Sequence, residues 1–253
     1  MAKIIAVVNQ KGGVGKTTST VNLTAALALH GARVLLCDFD PQANATSGMG
    51  VNKKDAPHSV YNVIIDRLTP EKAVVKTKFG DLIPSAAALA GASVELIGME
   101  KREYRLKMAL DKLRYAYDYI FIDCPPSLEL LTLNALCAAD SVIIPVQCEY
   151  YALEGLSDLM TTLRAIKKRL NPNIDVFGVL LTMFDGRTNF SNQVAQEVRK
   201  HFPGKVFASV IPRNVRLAEA PSHGLPVIAY DKGSRGAAAY IAAAEEILRK
   251  RVR

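Results

Sequence analysis

Short apolar runs alternate with longer stretches of helical periodicity along the whole chain. KIIAVV (3–8), RVLLCD (33–38), DYIFID (118–123), SVIIPV (141–146), VFGVLLT (176–182) and VFASVI (206–211) are continuous apolar runs. They predict strands covered on both faces, since a half-exposed strand would alternate. TTSTVNLTAALALHG (17–31) predicts a helix that stops at Gly31, placed like a C-cap. KREYRLKMALDKLRYA (101–116) and GLSDLMTTLRAIKKRL (155–170) are amphipathic. In the second, Leu156, Leu159, Met160, Leu163, Ile166 and Leu170 form one stripe, and Arg164, Lys167 and Lys168 face away from it. SRGAAAYIAAAEEILRKRVR (234–253) predicts a closing helix.

Strand–helix–strand repetition of this kind argues for an α/β fold with a doubly wound, mostly parallel sheet flanked by helices. There is no linker, low-complexity tract or fixed-period repeat, so one domain is expected over residues 1–253. The stretch from about 48 to 100 is the least regular and reads as a loop-rich insertion within that domain.

Composition narrows the class. No run approaches the length needed to cross a bilayer, and the N-terminus turns polar too soon for a signal peptide, which predicts a cytoplasmic protein. Cys37, Cys124, Cys137 and Cys148 form no C-x-x-C pair and sit in apolar segments, so buried reduced thiols are expected. His30, His58, His201 and His223 have no ligand spacing, which argues against a zinc site. The net charge of +8 is unevenly spread. Residues 1–149 hold 16 Lys+Arg against 15 Asp+Glu, and residues 150–253 hold 16 against 9. A polyanion or an anionic surface is therefore the expected partner of the C-terminal part.

The chemistry centres on VNQKGGVGKTTST (8–20). It nearly matches the phosphate-loop pattern G-x-x-x-x-G-K-[ST], except that Gln10 and then Lys11 stand where the first glycine and its successor are expected. Gly12, Gly13 and Gly15 lie between a predicted strand and a predicted helix. Backbone amides there can turn inward on phosphate oxygens, and the helix N-terminus adds a favourable dipole. Lys16 is placed to reach the β- and γ-phosphates and Thr17 to hold Mg²⁺. A dinucleotide fingerprint is disfavoured, because Thr18 occupies its third glycine position. Two predicted strands end in acid: LLCDFDPQ carries Asp38 and Asp40, and YIFIDCPP carries Asp123. Ligands of open α/β sheets bind beyond such strand ends.

KGGVGKTT, DFDPQ and DCPPS together resemble the deviant Walker A P-loop ATPases of the ParA/MinD family, and IPVQCEYYALEGL and VIPRNVRLAEAPSHGLP are similar to its chromosomal ParA (Soj) branch. The resemblance spans essentially the whole chain. It implies an ATP-dependent homodimer with ATP sandwiched between subunits, Lys11 crossing to the neighbour's phosphates, and Asp40 orienting the attacking water. It implies nucleotide contacts along Lys11, Gly12, Gly13, Val14, Gly15, Lys16, Thr17 and Thr18, purine contacts from Pro212 and Asn214, and Asp38 and Asp123 around the Mg²⁺ with Thr17. It further implies nonspecific binding of double-stranded DNA through Arg187 and Arg216, with Lys168, Arg199, Lys200 and Arg235 as weaker candidates. A ParB-type partner that stimulates hydrolysis, a link to a replication initiator, and association with the nucleoid belong to the same expectation. Phe39 departs from the aliphatic residue expected between the two aspartates, and no helix-turn-helix precedes the first strand at Lys3.

Rival readings ask for features the sequence offers poorly. A MinD-like membrane ATPase needs a bulky apolar C-terminal face, where only Ile247, Leu248 and Val252 occur. A cluster-carrying relative needs two interfacial cysteines, and Cys124 has no convincing second. A metabolic phosphoryl transferase needs an acceptor pocket with no evident signature.

Overall fold

The computed structural model describes residues 1–149 and 152–251. Along the chain, β1 (Lys3–Val7) leads through the glycine-rich loop into α1 (Lys16–Leu29) and then β2 (Val34–Asp38). Short helices α2 (Asn44–Gly48) and α3 (Val60–Ile64) precede β3 (Asp81–Ile83). Then come α4 (Ala92–Glu95), α5 (Arg105–Leu113), β4 (Tyr119–Asp123), α6 (Leu130–Ala138) and β5 (Ser141–Gln147). The remaining elements are α7 (Ala152–Arg169), β6 (Asp175–Thr182), α8 (Asn189–His201), α9 (Val215–Glu219), α10 (Val227–Tyr230) and α11 (Arg235–Arg251).

The six strands form one parallel sheet in the order β3-β2-β4-β1-β5-β6. The continuous apolar runs have the predicted cause. Ile4, Ala6, Leu35, Cys37, Ile120, Ile122, Val142 and Ile144 pack into one core with α5, α6, α7 and α8. Their neighbours Ile5, Val7, Val34, Tyr119, Phe121 and Ile143 face the other way, onto Leu23, Ala26 and Leu27 of α1 and Tyr240, Ala243 and Ile247 of α11. Alternate residues thus serve opposite cores. Phe39, the unexpected aromatic, is fully buried in the first core.

The helical stripe of α7 holds: Leu156, Leu159, Leu163 and Ile166 are buried, while Arg164, Lys167 and Lys168 are exposed. Helix α1 ends two residues before Gly31, which turns the chain at φ +80°. All four cysteines are buried and unpaired. Ile247 is buried against the sheet and Leu248 packs against the same core, so neither is available for a membrane-facing stripe; Val252 lies outside the described residues.

Two expectations need correction. VFASVI (206–211) is not a strand. It touches β6 only at intervals: Phe207 N–H donates to Val179 O (3.0 Å) and Ile211 N–H to Leu181 O (2.8 Å). Between those points Glu246 of α11 takes the amides of Ala208 and Ser209 at 2.9 and 2.7 Å, lifting the segment off the sheet. Conversely, β3 lies inside the stretch read as irregular. Its three residues carry too little pattern to be seen, and their pairing with Leu35, Leu36 and Cys37 of β2 defines them.

Candidate nucleotide site and basic face

Parallel register builds the site. Val7 pairs with Asp123, and Asp123 with Asp38, so the ends of β1, β4 and β2 form one row at the carboxyl edge of the sheet. One residue past that row the chain leaves β1 and enters the loop. Gly13 and Gly15 adopt φ of +74° and +89°, a left-handed conformation that side chains resist. The loop is anchored by Thr182 of β6, whose hydroxyl donates to Val14 O at 2.8 Å and whose methyl lies against Gly15.

Lys16 is buried, and its Nζ donates to Lys11 O at 3.0 Å. Burial lowers its pKa, opposed by Asp123, Cys124 and Asp40. Lys11 is half-buried; its Nζ lies 3.4 Å from Glu149 Oε2, and Arg213 approaches the same carboxylate at 3.8 Å. Asp123 accepts from the hydroxyls of Thr17 (2.8 Å) and Thr20 (3.0 Å). Asp38 accepts from the amide and hydroxyl of Thr46 (2.7 and 2.6 Å) and from the Asp40 amide (3.3 Å). Asp40 is buried at the loop that follows, with Oδ1 taking the Gln42 amide at 2.9 Å.

Asp38 and Asp123 are fully buried, and neither has an ion-pair partner among the described residues. Burial pushes both carboxyls well upward, with Asp38 adding to the shift at Asp123 and Asp40 to that at Asp38. Two uncompensated carboxylates in low dielectric call for a cation. A hydroxyl and two carboxylates are hard oxygen donors of the kind Mg²⁺ accepts, with water and phosphate completing its shell. Among the described residues no cluster of three or more His, Cys, Asp or Glu could hold an ion alone, which suits a metal that arrives with a phosphate. Thr17, Asp38 and Asp123 therefore fit the group expected there.

Beside the loop lies a cavity of about 270 Å³ bordered by Gly15, Thr18, Met183, Pro212, Asn214 and Tyr240, among others. It brings the predicted Pro212 and Asn214 to the phosphate loop. Asn214 also caps α9, its side chain accepting from Arg216 N–H at 3.0 Å. Met183 stands at φ +50°, a strained conformation at the cavity wall. Sequence reasoning missed Thr46, Thr182, Met183, Glu149 and Tyr240. Of these only Thr46, a hydroxyl eight residues beyond an acidic strand end, carried a local signal.

The basic candidates separate. Arg187 and Arg235 line one cleft of about 560 Å³ together with Arg213. Arg216 is not among that cleft's lining residues, and Lys168, Arg199 and Lys200 sit exposed on α7 and α8. Arg187 is bidentate to Asp185 (2.9 and 2.8 Å) and holds that carboxyl down at about 2. Arg216 pairs with Glu219 at 2.8 Å and Asp231 at 3.2 Å.

A glycine-turned loop between β1 and α1, a buried lysine, and an acidic row beyond a parallel sheet define a P-loop ATPase with a second lysine in its loop. Residues 2–176 match the family model described as an AAA domain. The chain is 57% identical over 249 residues to the sporulation initiation inhibitor protein Soj of Bacillus subtilis, covering 98% of each. It is 49% identical over 252 residues to the chromosome partitioning protein ParA of Myxococcus xanthus, covering 99% of this chain and 89% of that one. Among solved structures, one from Mycobacterium smegmatis with bound ADP and magnesium, named as a cobyrinic acid a,c-diamide synthase, superposes with a TM-score of 0.86 at 40% identity, over 98% and 95% of the two chains. The chain belongs to the ParA/Soj family of P-loop ATPases.

Proposed function

We propose that this chain is a chromosome-partition ATPase: a single domain over residues 1–253 that binds Mg²⁺ and ATP, dimerises around the nucleotide, coats double-stranded DNA without sequence preference, and is reset by slow hydrolysis. The observation that carries this reading is the loop itself, where Lys16 is buried on the main chain of a second, half-buried lysine, Lys11.

In this reading the amides of Gly12 to Thr18 wrap the phosphates and Lys16 neutralises the β- and γ-oxygens. Lys11 leaves Glu149 and crosses to the neighbouring subunit's phosphates, where a second cation stabilises charge developing in phosphoryl transfer. Thr17, Asp38 and Asp123 would hold Mg²⁺, which when bound would offset phosphate charge. Asp40 orients the attacking water, and Pro212 and Asn214 border the purine. Arg187 and Arg216 contact DNA phosphates. Both arginines act on the phosphate backbone, so affinity falls steeply with salt.

By analogy with the Soj and ParA relatives, a ParB-type protein stimulates hydrolysis and the ATP-bound dimer gathers on the nucleoid in the cytoplasm; a replication initiator is a further candidate partner. Among the described residues no helix is long and apolar enough to cross a membrane. The higher identity to the partition proteins than to the cobyrinic acid synthase favours segregation over small-molecule amide chemistry.

Gel shift on random-sequence DNA with ATP, ADP and no nucleotide, repeated across salt, tests the proposal. Binding with ATP alone, weakening with salt, is expected. Absence of DNA binding in every nucleotide state would leave the metabolic reading in its place.

A further inference from the structure

We propose that Asn9 is a positioning residue that fixes the main chain of Lys11, and through it the Lys11 ammonium. The inference rests on the reading above, in which Lys11 acts across the dimer.

The argument begins with the ladder between β1 and β5. It runs regularly from Ile5 opposite Ser141 to Val7 opposite Ile143, and Val8 N–H still donates to Ile143 O at 3.1 Å. The next donor on β5 would be residue 145, which is proline and has no N–H. The Val8 carbonyl loses its donor there, and because β1 ends at Val7, among the described residues no main-chain N–H reaches the Pro145 carbonyl either. The Asn9 side chain supplies one: Nδ2 donates to Pro145 O at 2.8 Å. Its other end turns toward the loop, where Oδ1 accepts from Lys11 N–H at 3.0 Å. Asn9 is 7% exposed; its bond to Pro145 is buried and its bond to Lys11 partly so. One buried amide thus replaces the missing rung and ties the first residue past the sheet to Lys11.

The consequence passes onward. Lys11 O accepts from Lys16 Nζ, and Lys11 Nζ points to Glu149. A main chain held at Lys11 sets where its own ammonium starts, whereas Lys16 is carried by α1. An amide donates at one end and accepts at the other, which an ionised aspartate or a leucine in its place does not.

The test is a double-mutant cycle on the full chain with Mg-ATP, reading the dimer dissociation constant by analytical ultracentrifugation, with monomer ATP affinity and thermal midpoint alongside. Asn9→Ala should weaken the dimer about tenfold, the scale of losing hydrogen bonds that position a charged group, while ATP affinity stays within roughly twofold. In a Lys11→Ala background the same change should weaken it no further. An unchanged dimer constant, full additivity, or a parallel loss of ATP binding and thermal stability would each overturn the inference. If Lys11→Ala alone leaves the dimer intact, the reading of Lys11 fails and the inference falls with it. If Lys11→Ala weakens the dimer and Asn9→Ala does not, the inference alone fails.

Discussion

At the carboxyl edge of the sheet, Asp38 and Asp123 are buried and engaged by hydroxyls and amides of the chain itself. In the C-terminal half, Arg187 and Arg216 are exposed and paired with carboxylates only two to fifteen residues away in sequence. The first region is preorganised by partners drawn from α1, α2 and the loop after β2. The second is held by local pairs that water screens. Exposed pairs of that sort contribute little, so a phosphate has little to displace. The contrast teaches that the nucleotide edge should respond to single substitutions by near-total loss, and the basic face by graded loss.

That contrast can be broken in four places. The largest effect is expected at Lys16→Ala, which should lower ATP turnover by roughly 100- to 1,000-fold, the scale of removing a preorganised charge; nucleotide binding and turnover assays check it. Asp40→Ala should slow hydrolysis by about 100-fold or more while leaving an ATP-bound, DNA-associated dimer; rapid turnover by this variant would remove the role given to Asp40. Gly178→Ala should cost about 1–3 kcal/mol of stability by overpacking. An added Cβ would meet the Phe207 ring at 2.5 Å, beneath the sheet and away from the loop, so ATP affinity in the folded fraction should be preserved. Urea denaturation with nucleotide titration separates the two. The smallest change is expected at Arg216→Ala, which should reduce the slope of log affinity against log salt by about 0.9 per lost phosphate contact. ATP-dependent dimerisation should persist. If Arg216→Ala abolished DNA binding outright, the graded picture of the basic face would fail; if it changed nothing, the DNA surface would lie elsewhere.

The two regions also differ in how far the sequence revealed them. Strand β1, the loop, α1 and the aspartates ending β2 and β4 were legible because each is a local signal: an apolar run, then glycines or acid at a fixed offset. The register that sets Asp38 beside Asp123 is a long-range fact, and so are Thr182 on the loop and Tyr240 at the cavity. The segment 206–211 misled because apolar content does not reveal whether a ladder is continuous, and Glu246 lies some forty residues away. On the basic face the single arginines came from the family resemblance, and from the chain itself only composition spoke. It located an excess of charge without showing that Arg187 and Arg235 share a cleft that Arg216 does not line.

The row formed by Val7, Asp38 and Asp123 has a consequence for how this chain can change length. Side chains alternate between two helical layers, so one residue gained or lost inside β2 or β4 would exchange its cores and withdraw an aspartate from the phosphate edge at once. Insertions can be absorbed in the stretch between α2 and α5, where the only strand is the three-residue β3 at the sheet's border. The molecule is therefore divided into a part whose spacing is locked and a part where new segments can be added, and descendants with altered partners would be expected to differ in the second.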